Sequence, residues 1–476
     1  MDFANMIRNL KGVRATVVGL GRSNLPLIDY LLSHGAIVTA RDGKAREALG
    51  EVTSNLEARG VRVITGGDYL QNIEADLLFR TPGIRPDRPE FAEAVARGAY
   101  LTSEMELFLE LTPAHVIGIT GSDGKTTTTT LTGLFLEAQF KNDPKRRVFV
   151  GGNIGAPLLP YVEEMTKDDV AVVELSSFQL QTMQRSCHTA AVTNLSPNHL
   201  NWHTDMEEYV AAKTNIFAHT QNGHVVINAE NERSIALLPR IRQRVTLFSS
   251  EKRSFSAFSH LLKKGDAAVW ARDGRIFWSE GDHEVELIKV DCIRLPGKHN
   301  LENYMTALAL THSWVNREAV DSVASTFTGV RHRLEPVREF RGVRYYNSSI
   351  DSSPTRTAAA LSALSPERPI VICGGADKKF SFEPLADSLC RHAKAVVLTG
   401  ETAPKIRAAL EARAEVKTGA LPITVVPDFR GAVEAARSIA KEGDIVLLSP
   451  SCTSFDAFKN FEERGDFFCR IVREFQ

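Results

Sequence analysis

The stretch His115-Val-Ile-Gly-Ile-Thr-Gly121-Ser-Asp-Gly124-Lys125-Thr126-Thr127 decides the architecture: an apolar run of strand character breaks into a glycine-bounded turn and then into a helical Thr/Leu pattern. In that setting the backbone N–H groups of Gly121, Ser122, Asp123 and Gly124, with the start of the helix, cradle phosphate oxygens. Lys125 neutralises their charge, and Thr126, followed by Thr127, stands where a hydroxyl ligates magnesium. The spacing departs from the common loop, because Gly121 lies three residues before Gly124 where G-x-x-x-x-G-K places its first glycine five before the second. ATP is the expected ligand, against the bland alternative of a coincidental Gly-Lys-Thr turn. The loop alone leaves the fate of the γ-phosphate open, since switches, kinases and ligases share it.

Working outward, apolar runs at 15–19, 170–173, 369–372, 395–398 and 445–448 each give way to a turn and a helical pattern. Runs this hydrophobic fit strands covered on both faces, and their alternation with helices predicts an α/β fold built on parallel sheets. Ligands of such sheets bind at the carboxyl ends of the strands. The 476 residues suggest three domains, with boundaries near 103 and 329. The segment 220–295 reads as β-rich and peripheral to the chemistry.

The 57 basic and 58 acidic residues nearly cancel, which argues against a nucleic-acid or anionic-membrane partner and means that any anion is held locally. Six cysteines, Cys187, Cys292, Cys373, Cys390, Cys452 and Cys469, form no C-x-x-C pair and read as reduced, buried thiols. No stretch approaches about 18 uncharged apolar residues and no signal peptide is evident, so a cytoplasmic protein without a membrane segment is expected.

Several other positions invite a chemical reading. Gly19-Leu-Gly21-Arg22-Ser23-Asn24 follows the first apolar run, with Asp42 about 20 residues on. Asn24 stands where the dinucleotide fingerprint has its third glycine, so a structural turn, a nucleotide diphosphate other than NAD, and NAD all stay open. A second turn, Arg80-Thr81-Pro82-Gly83, reaches the same sheet edge. Glu174, at the end of a strand neighbouring the phosphate loop, is the candidate carboxylate for magnesium, the bland reading being a solvated surface charge. His199 is a plausible metal ligand on the same grounds. Lys213, beside small residues in a helical pattern, reads on its own as a solvated helix lysine.

The ordered motifs Gly-Ser-Asp-Gly-Lys125-Thr-Thr, Gly-Gly-Asn153-Ile-Gly155, Glu174-Leu-Ser-Ser-Phe-Gln179, Ala-Ala-Lys213, Gly-Lys-His299-Asn300-Leu-Glu-Asn303 and His332-Arg333-Leu-Glu335 resemble the Mur ligase family over nearly the whole chain. Within it they most resemble the members that add D-glutamate to UDP-N-acetylmuramoyl-L-alanine through an acyl phosphate. The resemblance implies a Rossmann-like N-terminal UDP-binding domain (1–103), a central P-loop ATPase-like domain with a mostly parallel sheet (104–329) and a C-terminal Rossmann-like α/β domain (330–476), in a protein expected to be a monomer. It implies that Lys213 is carbamylated and joins Thr126, Glu174 and His199 around magnesium, and that Asn300, Asn303 and Arg333 position ATP. Gly19, Arg22, Ser23, Asn24, Asp42, Thr81, Pro82 and Gly83 would hold the uridine diphosphate end. Asn153, Ser176, Ser177 and Gln179 would line the muramoyl-alanine arm, and Lys378, Ser454, Phe455 and Phe461 would receive D-glutamate, whose two carboxylates suit a cation and a hydroxyl.

Two places depart from the family pattern. His199-Leu-Asn201-Trp202-His203 lacks the usual carboxylate, and Asn347-Ser348-Ser349-Ile-Asp351 replaces Asn-Asp-Ser, with Asp351 offering a charge three residues on. Rival readings are a sister ligase with another acceptor, a GTPase switch, for which no convincing guanine-reading Asn/Thr-Lys-x-Asp segment is present, a nicotinamide oxidoreductase, and a binding module that has lost catalysis.

Overall fold

The structure, a computed structural model, describes residues 3–476 apart from 201, 282, 296, 378 and 379. It divides into two compact units, Met1–Phe327 and Thr328–Gln476.

The first unit holds two sheets. Strands β1 (Arg14–Val18), β2 (Ile37–Asp42), β3 (Arg62–Thr65), β4 (Leu77–Arg80) and β5 (Tyr100–Thr102) form a wholly parallel sheet in the order β3-β2-β1-β4-β5. Its strand order reverses between β1 and β4, and such switch points open a crevice at the carboxyl ends. The turns after these two strands meet there, since a Cβ on Gly19 (φ 91°) would lie 2.6 Å from Cγ2 of Thr81.

After β5 the side chain of Ser103 accepts from the Glu106 N–H and starts the helix Glu104–Leu111, which leads into the second sheet. This comprises β6 (His115–Thr120), β7 (Val148–Gly152), β8 (Val170–Glu174), β9 (Thr189–Val192), β10 (His224–Asn228), β11 (Arg244–Ser249), β12 (Ala267–Arg272), β13 (Arg275–Glu280) and β14 (His283–Lys289), in the order β14-β13-β12-β11-β10-β9-β6-β8-β7. The strands from β7 to β12 run parallel, and β13 and β14 add an antiparallel edge. The 220–295 segment is thus β-rich, as expected, and extends the sheet that bears the phosphate loop. The two sheets share one apolar core, in which Val17, Leu27 and Leu77 connect through Met105, Leu107 and Phe108 to Val116, Val173 and Val192. Burial of the linking helix on that scale explains why the two sheets form one unit.

The second unit carries β15 (Glu335–Phe340), β16 (Val343–Asn347), β17 (Ile370–Cys373), β18 (Ala395–Leu398), β19 (Ile423–Val425) and β20 (Ile445–Leu448), ordered β15-β16-β20-β17-β18-β19 and parallel except at β15. Separate apolar clusters cover its two faces, which is why β17 and β20 read as unbroken hydrophobic runs. All six cysteines are free, and all but Cys292 are buried. Among the described residues no helix is long and apolar enough to cross a membrane.

Candidate active site

The phosphate loop runs from the end of β6 into the helix Lys125–Phe140. Its shape is imposed from outside. The backbone N–H groups of Ser122 and Asp123 donate to the carbonyl and the side-chain oxygen of Asn194, both at 2.9 Å. Thr193 Oγ1 donates to the Asp123 carbonyl at 2.5 Å, and Ser122 Oγ meets the Tyr209 hydroxyl at 2.9 Å. Gly121 and Gly124 have positive φ (149° and 78°), and Cβ atoms there would lie 1.9 Å from Thr193 Oγ1 and 2.3 Å from Asn303 Oδ1. Both positions therefore require glycine. The second clash also places Asn303 against the loop, where it accepts from Thr128 Oγ1 at 3.2 Å and donates to Asn300 Oδ1 at 3.2 Å. Thr193 and Asn194, which escape sequence reasoning, are the clamp.

Glu174, at the end of β8, is 2% exposed. Its carboxylate accepts from Thr126 Oγ1 at 2.7 Å and from Asn153 Nδ2 at 2.9 Å. The solvated-surface alternative is thereby overturned. Lys213 is also 2% exposed, so its reading as a solvated helix lysine fails too. Its Nζ donates to Thr120 Oγ1 at 3.2 Å and to the Gly121 carbonyl at 2.8 Å, lying 4.8 Å from the centroid of the Tyr209 ring. Lys125 Nζ donates to that same Gly121 carbonyl at 3.0 Å and to Ser122 O at 2.9 Å. Burial, and then the Lys125 charge, push the Lys213 amine well below the usual lysine range, with Glu174 and Asp123 opposing the shift.

A carboxylate and a hydroxyl, both hard oxygen donors at the head of a phosphate loop, fit magnesium, which is usually held by one or two carboxylates together with phosphates and water. Among the described residues no group of three or more His, Cys, Asp or Glu side chains could hold a metal. His199 is exposed, with φ 55° and its ring edge-on to Phe178 at 4.9 Å. Ser176 and Gln179 form a reciprocal capping box at the helix Ser177–Leu180. Ser177 is buried with its hydroxyl 2.9 Å from Nε2 of His203, a neighbour that the sequence reading did not assign. Asn201 lies outside the described residues.

In the first sheet Asn24 is buried and donates to the carbonyls of Val18 (3.2 Å) and Gly19 (2.8 Å). Asp42 accepts from the backbone N–H groups of Leu20 (2.8 Å) and Lys44 (2.9 Å). Both side chains hold the first glycine turn, with Arg22 exposed and Ser23 half-buried on it. Thr81 and Pro82 are half-buried and Gly83 exposed in the facing turn. At the ends of the two strands that flank β1 are two buried arginines, Arg41 on β2 and Arg80 on β4, to which the sequence reading gave no role. Arg41 donates to the carbonyls of Tyr69, Gln71 and Asn72, and Arg80 to those of Ile84 and Phe178.

In the second unit Ser454 is 2% exposed, Phe455 is 69% exposed, and Phe461 packs edge-on to His332 at 5.9 Å. Arg333 is exposed, and Lys378 lies outside the described residues. Asp351 is buried, bonded by Ser449 Oγ at 2.8 Å and by Ser348, and burial raises its carboxyl to about 6.

Comparison with known proteins accounts for this arrangement. Residues 13–103 match the MurD-like N-terminal domain of Mur ligases, 119–311 the Mur ligase middle domain, and 332–452 the Mur ligase glutamate ligase domain. The chain is 45% identical over 474 residues to the UDP-N-acetylmuramoylalanine–D-glutamate ligase of Clostridium novyi, covering 99% of this chain and 98% of that one. It is 42% identical over 470 residues to the protein of the same name in Ruminiclostridium cellulolyticum, covering 98% and 97%. Among solved structures, UDP-N-acetylmuramate-alanine ligase MurC from Thermotoga maritima shares the fold with a TM-score of 0.52 at 18% identity, covering 97% of this chain and 99% of that one. A murein peptide ligase from Psychrobacter arcticus does so with 0.51 at 16%, covering 98% and 100%. By these matches, which span the chain almost end to end, it belongs to the Mur ligase family and, within it, to the MurD group.

Proposed function

We propose that the chain is an ATP-dependent ligase that joins D-glutamate to UDP-N-acetylmuramoyl-L-alanine in peptidoglycan synthesis, releasing ADP and phosphate. The observation that carries the reading is the buried Glu174 carboxylate bonded to Thr126 at the head of a phosphate loop, in a chain 45% identical to a ligase of that name. The domains are taken as 1–103, 104–329 and 330–476, in a monomer working in the cytoplasm.

In the reaction the alanine carboxylate attacks the γ-phosphorus of ATP and ADP leaves. The D-glutamate amine then attacks the acyl phosphate, phosphate leaves the tetrahedral intermediate, and the amine gives up a proton. Because Asn194 takes up the Ser122 and Asp123 N–H groups, the start of the helix at 125–127 and the Lys125 ammonium are assigned to the transferring phosphoryl charge, and Gly121, Ser122, Asp123, Gly124, Thr127, Asn300, Asn303 and Arg333 to the rest of ATP. Thr126, Glu174, His199 and carbamylated Lys213 are assigned to magnesium, which when bound neutralises triphosphate charge and polarises phosphoryl oxygen. An amine must be neutral to add to carbon dioxide. The burial of Lys213 and its depressed basicity favour that form, and the addition releases one proton and leaves an anionic oxygen donor.

Gly19, Arg22, Ser23, Asn24, Asp42, Thr81, Pro82 and Gly83 are assigned to the uridine diphosphate end, Asn153, Ser176, Ser177 and Gln179 to the muramoyl-alanine arm, and Lys378, Ser454, Phe455 and Phe461 to D-glutamate. Phosphate release from ATP, magnesium and UDP-N-acetylmuramoyl-L-alanine tests the reading when D-glutamate is compared with L-glutamate, L-lysine, meso-diaminopimelate and no acceptor. Release with D-glutamate alone is expected, and release with another acceptor instead would move the chain to a sister activity.

A further inference from the structure

Strand β1 ends at Val18, directly before the first glycine turn, and Val18 is in register with Arg41 on one side and Arg80 on the other. Residues in register on neighbouring strands project from the same face of a sheet. Both arginines are buried, at 4% and 1% exposure. Their hydrogen bonds go to neutral oxygens: Arg41 to three backbone carbonyls of the segment 69–72, and Arg80 to carbonyls at 81, 82, 84 and 178 and to the Thr182 hydroxyl. Neither forms an ion pair among the described residues, and the Nε of each has no hydrogen-bond partner there. Burial lowers the basicity of both, Arg80 to about 10, and Glu74 acts on Arg41 only at a distance. Buried cations without a carboxylate are unfavourable to the fold taken alone. Two of them nonetheless flank the strand end where the sheet opens its crevice.

We propose that Arg41 and Arg80 are positioning residues for the anionic end of the nucleotide substrate: buried on either side of the strand end that leads into the turn at 19–24, they supply a fixed positive potential to a diphosphate laid on that turn and on the turn at 81–83. This rests on the assignment of the uridine diphosphate end to the same turns. Low-dielectric surroundings strengthen that potential, and fixed carbonyl ligands keep the guanidinium groups from reorganising when the anion arrives. Arg80 also links the 81–83 turn through the Phe178 carbonyl to the segment that follows Glu174, so the turn that receives the nucleotide is tied to the carboxylate strand.

Calorimetric titration of the full chain with UDP, at several salt concentrations, tests this with Arg41→Gln and Arg80→Gln, which keep an amide donor for the carbonyls, and with Arg41→Lys and Arg80→Lys, which keep the charge. Each glutamine variant should weaken UDP binding about tenfold and flatten its salt dependence, whereas each lysine variant should retain most of the affinity. The KM for the nucleotide substrate should rise more than kcat falls. Equal UDP affinity in the glutamine variants and the unaltered chain would overturn the inference. So would loss of affinity in the lysine variants as large as in the glutamine ones and in step with melting temperature, which is the signature of a structural role. Absence of UDP binding by the unaltered chain would instead remove the assignment of the turns themselves, and the inference with it.

Discussion

Replacing Lys213 by methionine separates the role of its nitrogen from its role in the fold. The side chain keeps its length and apolar stem but loses two hydrogen bonds, to Thr120 Oγ1 and Gly121 O. At about 1 kcal/mol each these are worth roughly 2 kcal/mol. Against this, a buried polar nitrogen that shares the Gly121 carbonyl with Lys125 disappears, and relief of its desolvation returns about 1 to 3 kcal/mol. The two nearly cancel, so the melting temperature should move by no more than a few degrees, in either direction. Activity has no such compensation. If the carbamate on Lys213 stabilises charge at the transferring phosphoryl group, its loss should lower kcat by about 100-fold to 1,000-fold. Phosphate release under saturating ATP and D-glutamate, read beside thermal denaturation, measures both. A Lys213→Met variant that keeps its melting temperature and more than a tenth of the unaltered kcat would refute the role given to the nitrogen.

Three further substitutions follow from the geometry. Glu174→Gln keeps oxygen and amide contacts for Thr126 and Asn153 but removes the charge; calorimetry should show that magnesium no longer tightens ATP binding, with kcat lower by about 100-fold. Gly121→Ala drives a Cβ to 1.9 Å from Thr193 Oγ1 at φ 149°, so the loop must move, and ATP affinity should fall at least about tenfold while the far sheet edge stays intact by hydrogen exchange. His224, bonded to Thr246 Oγ1, is held by burial at about 4, against about 6.5 in the unfolded chain. The folded state therefore refuses a proton that the unfolded state accepts, and stability is lost as pH falls from 6.5 to 4, by at most about 3 kcal/mol and about half that once residual exposure is discounted. Because burial raises Glu104 to about 7 and this titrates with the opposite sign, the measurement is a difference. The melting-temperature drop between pH 7 and pH 5 should be smaller in His224→Asn than in the unaltered chain, and an equal or larger drop would contradict the assignment.

The parts of the fold that are legible in sequence are those whose environment is uniform. Strands β17 and β20 are buried at every position, as is β8, so all three read as apolar runs, broken only where Glu174 closes β8. The phosphate loop is legible for a related reason: two glycines with positive φ, each pressed against a side chain, leave no freedom of residue type. The 220–295 segment is less legible because its strands differ in surroundings. β12 is almost fully buried while β14 has exposed residues along much of its length, and the shared sheet becomes visible only through the pairing of β10 with β9.

Charged groups in the site are read poorly because burial is a property of distant neighbours. Lys213 sits beside two alanines in a helical pattern, as many solvated lysines do, and what encloses it is Tyr209 on its own helix together with the end of β6. Arg41 and Arg80 each close an apolar run, which is also how a strand emerging into water looks. Asn24 shows the reverse case. As a missing third glycine it weakens the fingerprint, yet its amide bonds to the carbonyls of Val18 and Gly19, two contacts that a glycine cannot make. The turn is therefore held by a side chain where the dinucleotide fold holds it by close backbone approach. A turn stiffened from within, at a strand end flanked by two buried arginines, is organised before any ligand arrives, and preorganisation of that kind favours a compact anion such as a diphosphate.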